Sequence, residues 1–214
     1  MSALRAWLGG LPPVFRWAIY GGALLLGLVV AVSAGWSWVQ HREALAQRSL
    51  ASAAAAANRA LGGGDQAALG AAAERLTQFL KDYPRSGVSA EAWYILGNVE
   101  FRRGSLDRAA AAFAEAGRRG SPSIAALSLM AQGYVREAKG EPAQALGAYS
   151  QALAGRDPRA FLYPDLVLAK ARVQEQLKDT AGAIESYKGF LKDVPGSPRA
   201  EEVRIRLALL GAGA

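Results

Sequence analysis

Side-chain chemistry in this chain would have to start from very few groups. His41 is the only histidine in 214 residues, and there is no cysteine. A Ser-His pair, an imidazole acid or base, and a histidine metal site would all depend on that one residue beside a long apolar run. Thiolate ligands, cysteine nucleophiles and disulfides are excluded outright. No phosphate-cradling glycine loop, zinc-ligand spacing or pair of carboxylates on converging elements can be traced. The acids are scattered, which predicts solvated outer helix faces. The expectation is a protein that is not an enzyme, with no catalytic residues, no metal and no cofactor.

Charge gives no nucleic-acid signal either. The formal net charge is +7, from 25 Lys and Arg against 18 Asp and Glu. Arg5, Arg16 and Arg42 all precede the first acid, Glu43. The remaining body carries about +4 with both signs interspersed, an ordinary solvated surface without the basic stripe that phosphates require.

The elements that must position any binding residues are helical. Ala and Gly are abundant, aromatics are few, and apolar runs without β-branched residues recur, a composition suited to closely packed helices. Near the N-terminus, "WAIYGGALLLGLVVAVSAGWSWV" (17–39) holds no charged side chain and is long enough to cross a hydrocarbon core of about 30 Å. Trp17 and Tyr20 mark one end, and Trp36 and Trp38 the other, where interfacial rings are favoured. Ala23, Gly27, Ala31 and Gly35 form one small-residue stripe. Such a stripe allows close helix association, including a homo-oligomer through the spanning helix, although small residues are common in spanning helices in any case.

Orientation by charge is nearly balanced, with Arg5 and Arg16 before the run and Arg42, Glu43 and Arg48 after it. A short tail ahead of a long C-terminal body follows the signal-anchor layout. The expected organisation is a cytoplasmic tail (1–16), a transmembrane helix (17–39) and a helical repeat domain (40–214). In a bacterium this is a single-pass inner-membrane protein with its body in the periplasm. The alternative is a cleaved signal peptide with the cut near "VSA" (32–34), leaving a secreted body; the apolar run is longer than such segments usually are.

After residue 87 the chain repeats itself. In "AEAWYILGNVEFRRGSLDRAAAAFAEA" (90–116), Trp93, Leu96 and Gly97 are followed by Gly104 and then by Ala109, Phe113 and Ala116. The frame recurs with Gly133, Gly140, Ala145, Tyr149 and Ala152, and again with Ala171, Ala183, Tyr187 and Phe190. This pattern resembles the tetratricopeptide repeat, in which small residues sit where two antiparallel helices cross and large ones fill the space between pairs. "FLKDYP" (79–84) and "FLKDVP" (190–195) each read as the close of a second helix stopped by proline. The expected fold is all-α: a right-handed α-solenoid of about four helix pairs with a polar capping helix at 198–210, preceded by one transmembrane helix. The first pair would begin with a helix near 42–60 and break at "GGGD" (62–65).

In tetratricopeptide proteins the inner faces of the first helices line a groove. The resemblance places Glu91, Tyr94, Asn98 and Phe101, then Leu127, Met130 and Tyr134, then Asp165, Leu168 and Arg172 on that face. Such a surface suits an apolar peptide or amphipathic helix; equally, Tyr94, Phe101 and Met130 could pack against the N-terminal helix. The clamp that holds chaperone C-terminal carboxylates is matched by Asn98 alone.

Two envelope resemblances overlap. The repeats resemble those of cell-envelope lipoproteins such as the outer-membrane assembly lipoprotein BamD and the Tol-Pal coordinator, whose acylated cysteine is missing here. The layout of tail, single span and repeat body resembles the YfgM family of ancillary translocon subunits. It implies a protein-protein interaction scaffold or adaptor, with the translocon and periplasmic chaperones as partners. A structural subunit of an envelope assembly complex is the alternative.

Overall fold

The computed structural model describes residues 12–212 and resolves two units, 1–47 and 48–214. The expected tail falls largely on residues 1–11, outside the described residues.

In the first unit, the helix α1 (Pro13–Gly63) begins at a proline, whose fixed φ and missing N–H suit a first turn. From Tyr20 to Leu45 almost every residue is exposed, including Leu24, Leu25, Leu26, Trp36 and Trp38. The Arg42 guanidinium lies 5.4 Å from the centre of the Trp38 ring, a cation-π distance. By length and composition this is a helix apolar enough to cross a membrane. The spacer after it, "ASAAAAANRA", is dominated by the strongest helix former, so nothing interrupts α1 before its glycines.

In the second unit, Leu50, Ala53, Ala57 and Ala60 form a buried stripe along the last turns of α1, spaced three or four apart as one helix face requires. Gly64 turns the chain at φ +70°. The Asp65 carboxylate then caps α2 (Gln66–Asp82) by accepting from the backbone N–H groups of Ala67 and Ala68 at 3.1 and 3.2 Å. There follow α3 (Ser89–Arg102), α4 (Leu106–Arg119), α5 (Pro122–Ala138), α6 (Pro142–Leu153), α7 (Tyr163–Gln176), α8 (Thr180–Asp193) and α9 (Ala200–Leu209). Each helix from α3 onward packs on the one before it, and α3 also touches α5. No strand occurs among the described residues.

The two "FLKD" segments end α2 and α8 in the same way. The N–H of Tyr83 donates to the Phe79 carbonyl and that of Val194 to the Phe190 carbonyl, with nearly identical cap dihedrals. Both phenylalanines are buried.

The small residues of the frame are required by close approach. A Cβ added at Gly97 would lie 2.5 Å from the Phe113 ring, and one at Gly133 would collide with the Tyr149 ring. Each second helix thereby seats its large aromatic against the bare backbone of its own first helix. The turn between α7 and α8, which lacks the expected glycine, holds Lys178 at φ +61°, a conformation that costs an L-residue roughly 1 kcal/mol or more.

The cap departs from expectation. Val203 and Leu207 join Ala183, Tyr187 and Phe190 in one buried cluster, so α9 docks as a further first helix would. Its outer side is not wholly polar, because Ile205 and Leu209 are 55% and 75% exposed. The turns before α3 and α9 make the same backbone bonds, at Ser86, Ser89 and Ala92 and at Ser197, Ala200 and Val203, which puts Ala208 at the place of Gly97 and Ile205 at the place of Tyr94.

Candidate protein-binding groove

The predicted groove residues occupy the first helices α3, α5 and α7, and their surroundings change along the solenoid. On α3, Glu91 and Phe101 are exposed while Tyr94 and Asn98 are half-buried. The Tyr94 ring lies 5.6 Å from that of Phe113, within the range of a favourable aromatic pair. On α5, Leu127, Met130 and Tyr134 are half-buried against the core cluster around Tyr149, Leu166 and Val173. The Tyr134 and Tyr149 rings meet edge to face at 5.8 Å and 68°. These aromatics rest on their own repeats' cores, which fixes their outer faces rather than hiding them.

Further along, the same face becomes ionic. The Tyr149 side chain is fully buried, and its hydroxyl donates to Glu137 Oε1 at 2.5 Å. Arg172, one repeat further on, donates to both oxygens of that carboxylate at 2.7 and 3.0 Å. The pattern returns in the next repeat: the Tyr187 hydroxyl donates to Glu175 Oε1 at 2.5 Å, and Arg206 of α9 approaches Glu175 Oε2 at 3.9 Å. Arg199 completes the set by donating to Asp165 at 2.6 Å. Burial, then the carboxylate each one faces, holds the Tyr149 and Tyr187 hydroxyls well above the usual phenol range. They remain neutral donors at physiological pH. Between α7 and α9 the surface forms a hollow of about 90 Å³ lined by Leu168, Arg172, Tyr187, Arg199, Glu202, Val203 and Arg206.

Several expectations are corrected here. Acids do not all lie on solvated outer faces: the Glu137 side chain is 15% exposed and that of Glu175 is 24%. Glu100 is 7% exposed between Arg103 and Arg108. Within the expected polar cap, Arg199 and Arg206 turn to this face, toward Asp165 and Glu175. The missed signal is legible in hindsight as a glutamate twelve residues before a buried tyrosine, at 137/149 and 175/187.

The small-residue stripe of α1 is a separate feature. Ala23, Gly27, Ala31 and Gly35 are all exposed on α1, and a Cβ added at Gly27 or Gly35 would touch nothing. Among the described residues no group of three or more His, Asp or Glu could hold a metal ion.

The spacing of close-approach glycines, buried second-helix aromatics and matched proline stops is that of one repeat family. The tetratricopeptide repeat family matches residues 65–124 and 130–198, together more than half of the chain. The chain is a tetratricopeptide repeat protein. The first matched stretch covers α2 to α4 and the second covers the greater part of α5 through α8, so the match includes Glu137, Arg172 and Glu175 of the ionic part but stops before Arg199 and Arg206. No curated protein matches the chain.

Proposed function

We propose that this protein is a membrane-anchored interaction scaffold whose repeat domain (40–214) binds protein or peptide partners through the face of α3, α5 and α7. Membership of a family that typically serves protein interaction without catalysis supports the binding role. The observation that carries it is a run of half-buried or exposed side chains at the groove positions of the repeat: Tyr94, Leu127, Met130, Tyr134 and Leu168 rest on the core while keeping part of their surface open, and Asn98, Phe101 and Arg172 stand beside them. The exposed apolar length of α1 supports anchoring by a single span at 17–39, with the tail cytoplasmic and the repeats periplasmic in a bacterial inner membrane. On the resemblance to the YfgM layout, the partners are the translocon, periplasmic chaperones or newly exported chains.

Affinity purification of the solubilised full chain tests the binding role. Phe101→Asp with Leu168→Asp, both on the face, should deplete the bound proteins while leaving the circular-dichroism spectrum intact. A bound set unchanged by those substitutions and lost with Gly27→Leu would favour instead a structural subunit assembled through the stripe Ala23, Gly27, Ala31 and Gly35. Protease protection in intact spheroplasts tests orientation: the repeats should be cleaved only once the outer membrane is opened.

A further inference from the structure

The charges on the proposed binding face are unequally committed. Its three arginines each face a carboxylate of the same surface: Arg172 to Glu137 at 2.7 Å, Arg199 to Asp165 at 2.6 Å and Arg206 to Glu175 at 3.9 Å. Glu137 and Glu175 also accept from the hydroxyls of Tyr149 and Tyr187 and are only 15% and 24% exposed, so an incoming anion could take Arg172 or Arg206 only by leaving a largely buried carboxylate without its cation, a costly exchange. Two acids on the face have no ion pair among the described residues: Glu91 at the aromatic end, beside Tyr94 and Asn98 on α3, and Glu202 in the hollow between α7 and α9. A domain that is positive overall therefore offers a binding face whose uncommitted charge is negative.

We propose that the groove selects a cationic, apolar polypeptide segment, with aliphatic or aromatic side chains seated on Tyr94, Met130 and Tyr134 and Lys or Arg side chains meeting Glu91 and Glu202. The proposal rests on this face being a binding surface at all. Complementarity of this kind acts on selectivity and association rate more than on total affinity. Acidic segments and free C-terminal carboxylates are rejected, because every arginine they would seek is already engaged.

The test uses the full chain in nanodiscs of zwitterionic lipid, with empty discs as the blank. Binding of fluorescent peptides is followed by anisotropy; the peptides share one apolar sequence and carry all Lys, all Gln or all Glu at their polar positions. The Lys peptide should bind about tenfold tighter than the Gln peptide, with the Glu peptide weakest, and the preference should shrink as salt rises. The exposed pair Glu91→Gln with Glu202→Gln should remove most of that preference, bringing the Lys and Gln peptides to nearly equal affinity. Equal affinity for all three peptides, or tightest binding of the Glu peptide, overturns the proposed polarity while leaving a binding groove. Binding of none of them removes the groove together with the proposal.

Discussion

In the repeat of α3 and α4, the Phe113 ring lies 5.6 Å from that of Tyr94, Phe101 is exposed, and the next first helix, α5, carries Tyr134. At the junction of α5, α6 and α7 the equivalent places hold Tyr149, Glu137 and Arg172, joined by hydrogen bonds of 2.5 to 3.0 Å. The backbone frame is the same in both, since Gly97 and Gly133 receive the two rings in the same manner. All three places differ, and the difference at the core is one hydroxyl. A buried phenylalanine asks nothing of its neighbours, whereas a buried tyrosine must find an acceptor, and the carboxylate that supplies it needs a cation in turn. The hydroxyl at position 149, the carboxylate at 137 and the guanidinium at 172 together turn an aromatic surface into an ionic one along the same face.

The largest effect should strike both junctions alike. Gly97→Val and Gly133→Val each push a branched side chain into a buried ring, and each should cost about 3 kcal/mol. Urea denaturation of the solubilised chain measures this, and a tolerated Gly133→Val would show that the two junctions do not share a frame. Glu137→Leu should separate them. It leaves the Tyr149 hydroxyl and Arg172 without their acceptor and should cost about 2 kcal/mol. Adding Tyr149→Phe to it should restore much of the loss, because the orphaned donor is then gone.

The reverse transplant sharpens the same point. Phe113→Tyr alone should cost roughly 1 kcal/mol for a buried hydroxyl lacking a partner, and Phe101→Glu added to it should recover part of that. If the double variant is no better than the single, the hydroxyl is not what dictates the carboxylate.

Alkaline pH should then weaken the C-terminal repeats selectively. Tyr149 and Tyr187 have folded pKa values raised above that of an unfolded tyrosine. Their stabilising contribution is complete below about pH 10 and is lost as pH rises from there toward their folded values, because only the unfolded state releases the proton. At pH 10.5 each should account for about 0.8 kcal/mol. Tyr149→Phe with Tyr187→Phe should flatten the profile of stability against pH.

Most of the fold is legible in the sequence because it is written in short-range patterns. The glycines and alanines at 97, 133 and 171, the aromatics at 113, 149 and 187, and the stops after Asp82 and Asp193 each specify a local event, and the helices fall accordingly. The uninterrupted passage of α1 through "ASAAAAANRA" follows from helix propensity alone. The ionic network was harder to foresee, since Glu137 acts through partners twelve and 35 positions away. Its Tyr149 partner looks like any other filler of the space between helices. The cap misled for a related reason: its charged residues suggested a polar outer side, but Arg199 and Arg206 are drawn to Asp165 and Glu175, leaving Ile205 and Leu209 outside. The groove residues were placed by family register, and the structure adds which of them rest on the core and which charges are already spent.

Site-specific photocrosslinking in the native membrane tests the central claim most directly. A photoreactive residue replacing Tyr94 or Tyr134, irradiated in intact cells, should trap protein at discrete masses, whereas one at the exposed position Glu185 on α8 should not. Equal trapping at all three positions, or none at Tyr94 and Tyr134, would contradict a binding face formed by α3, α5 and α7.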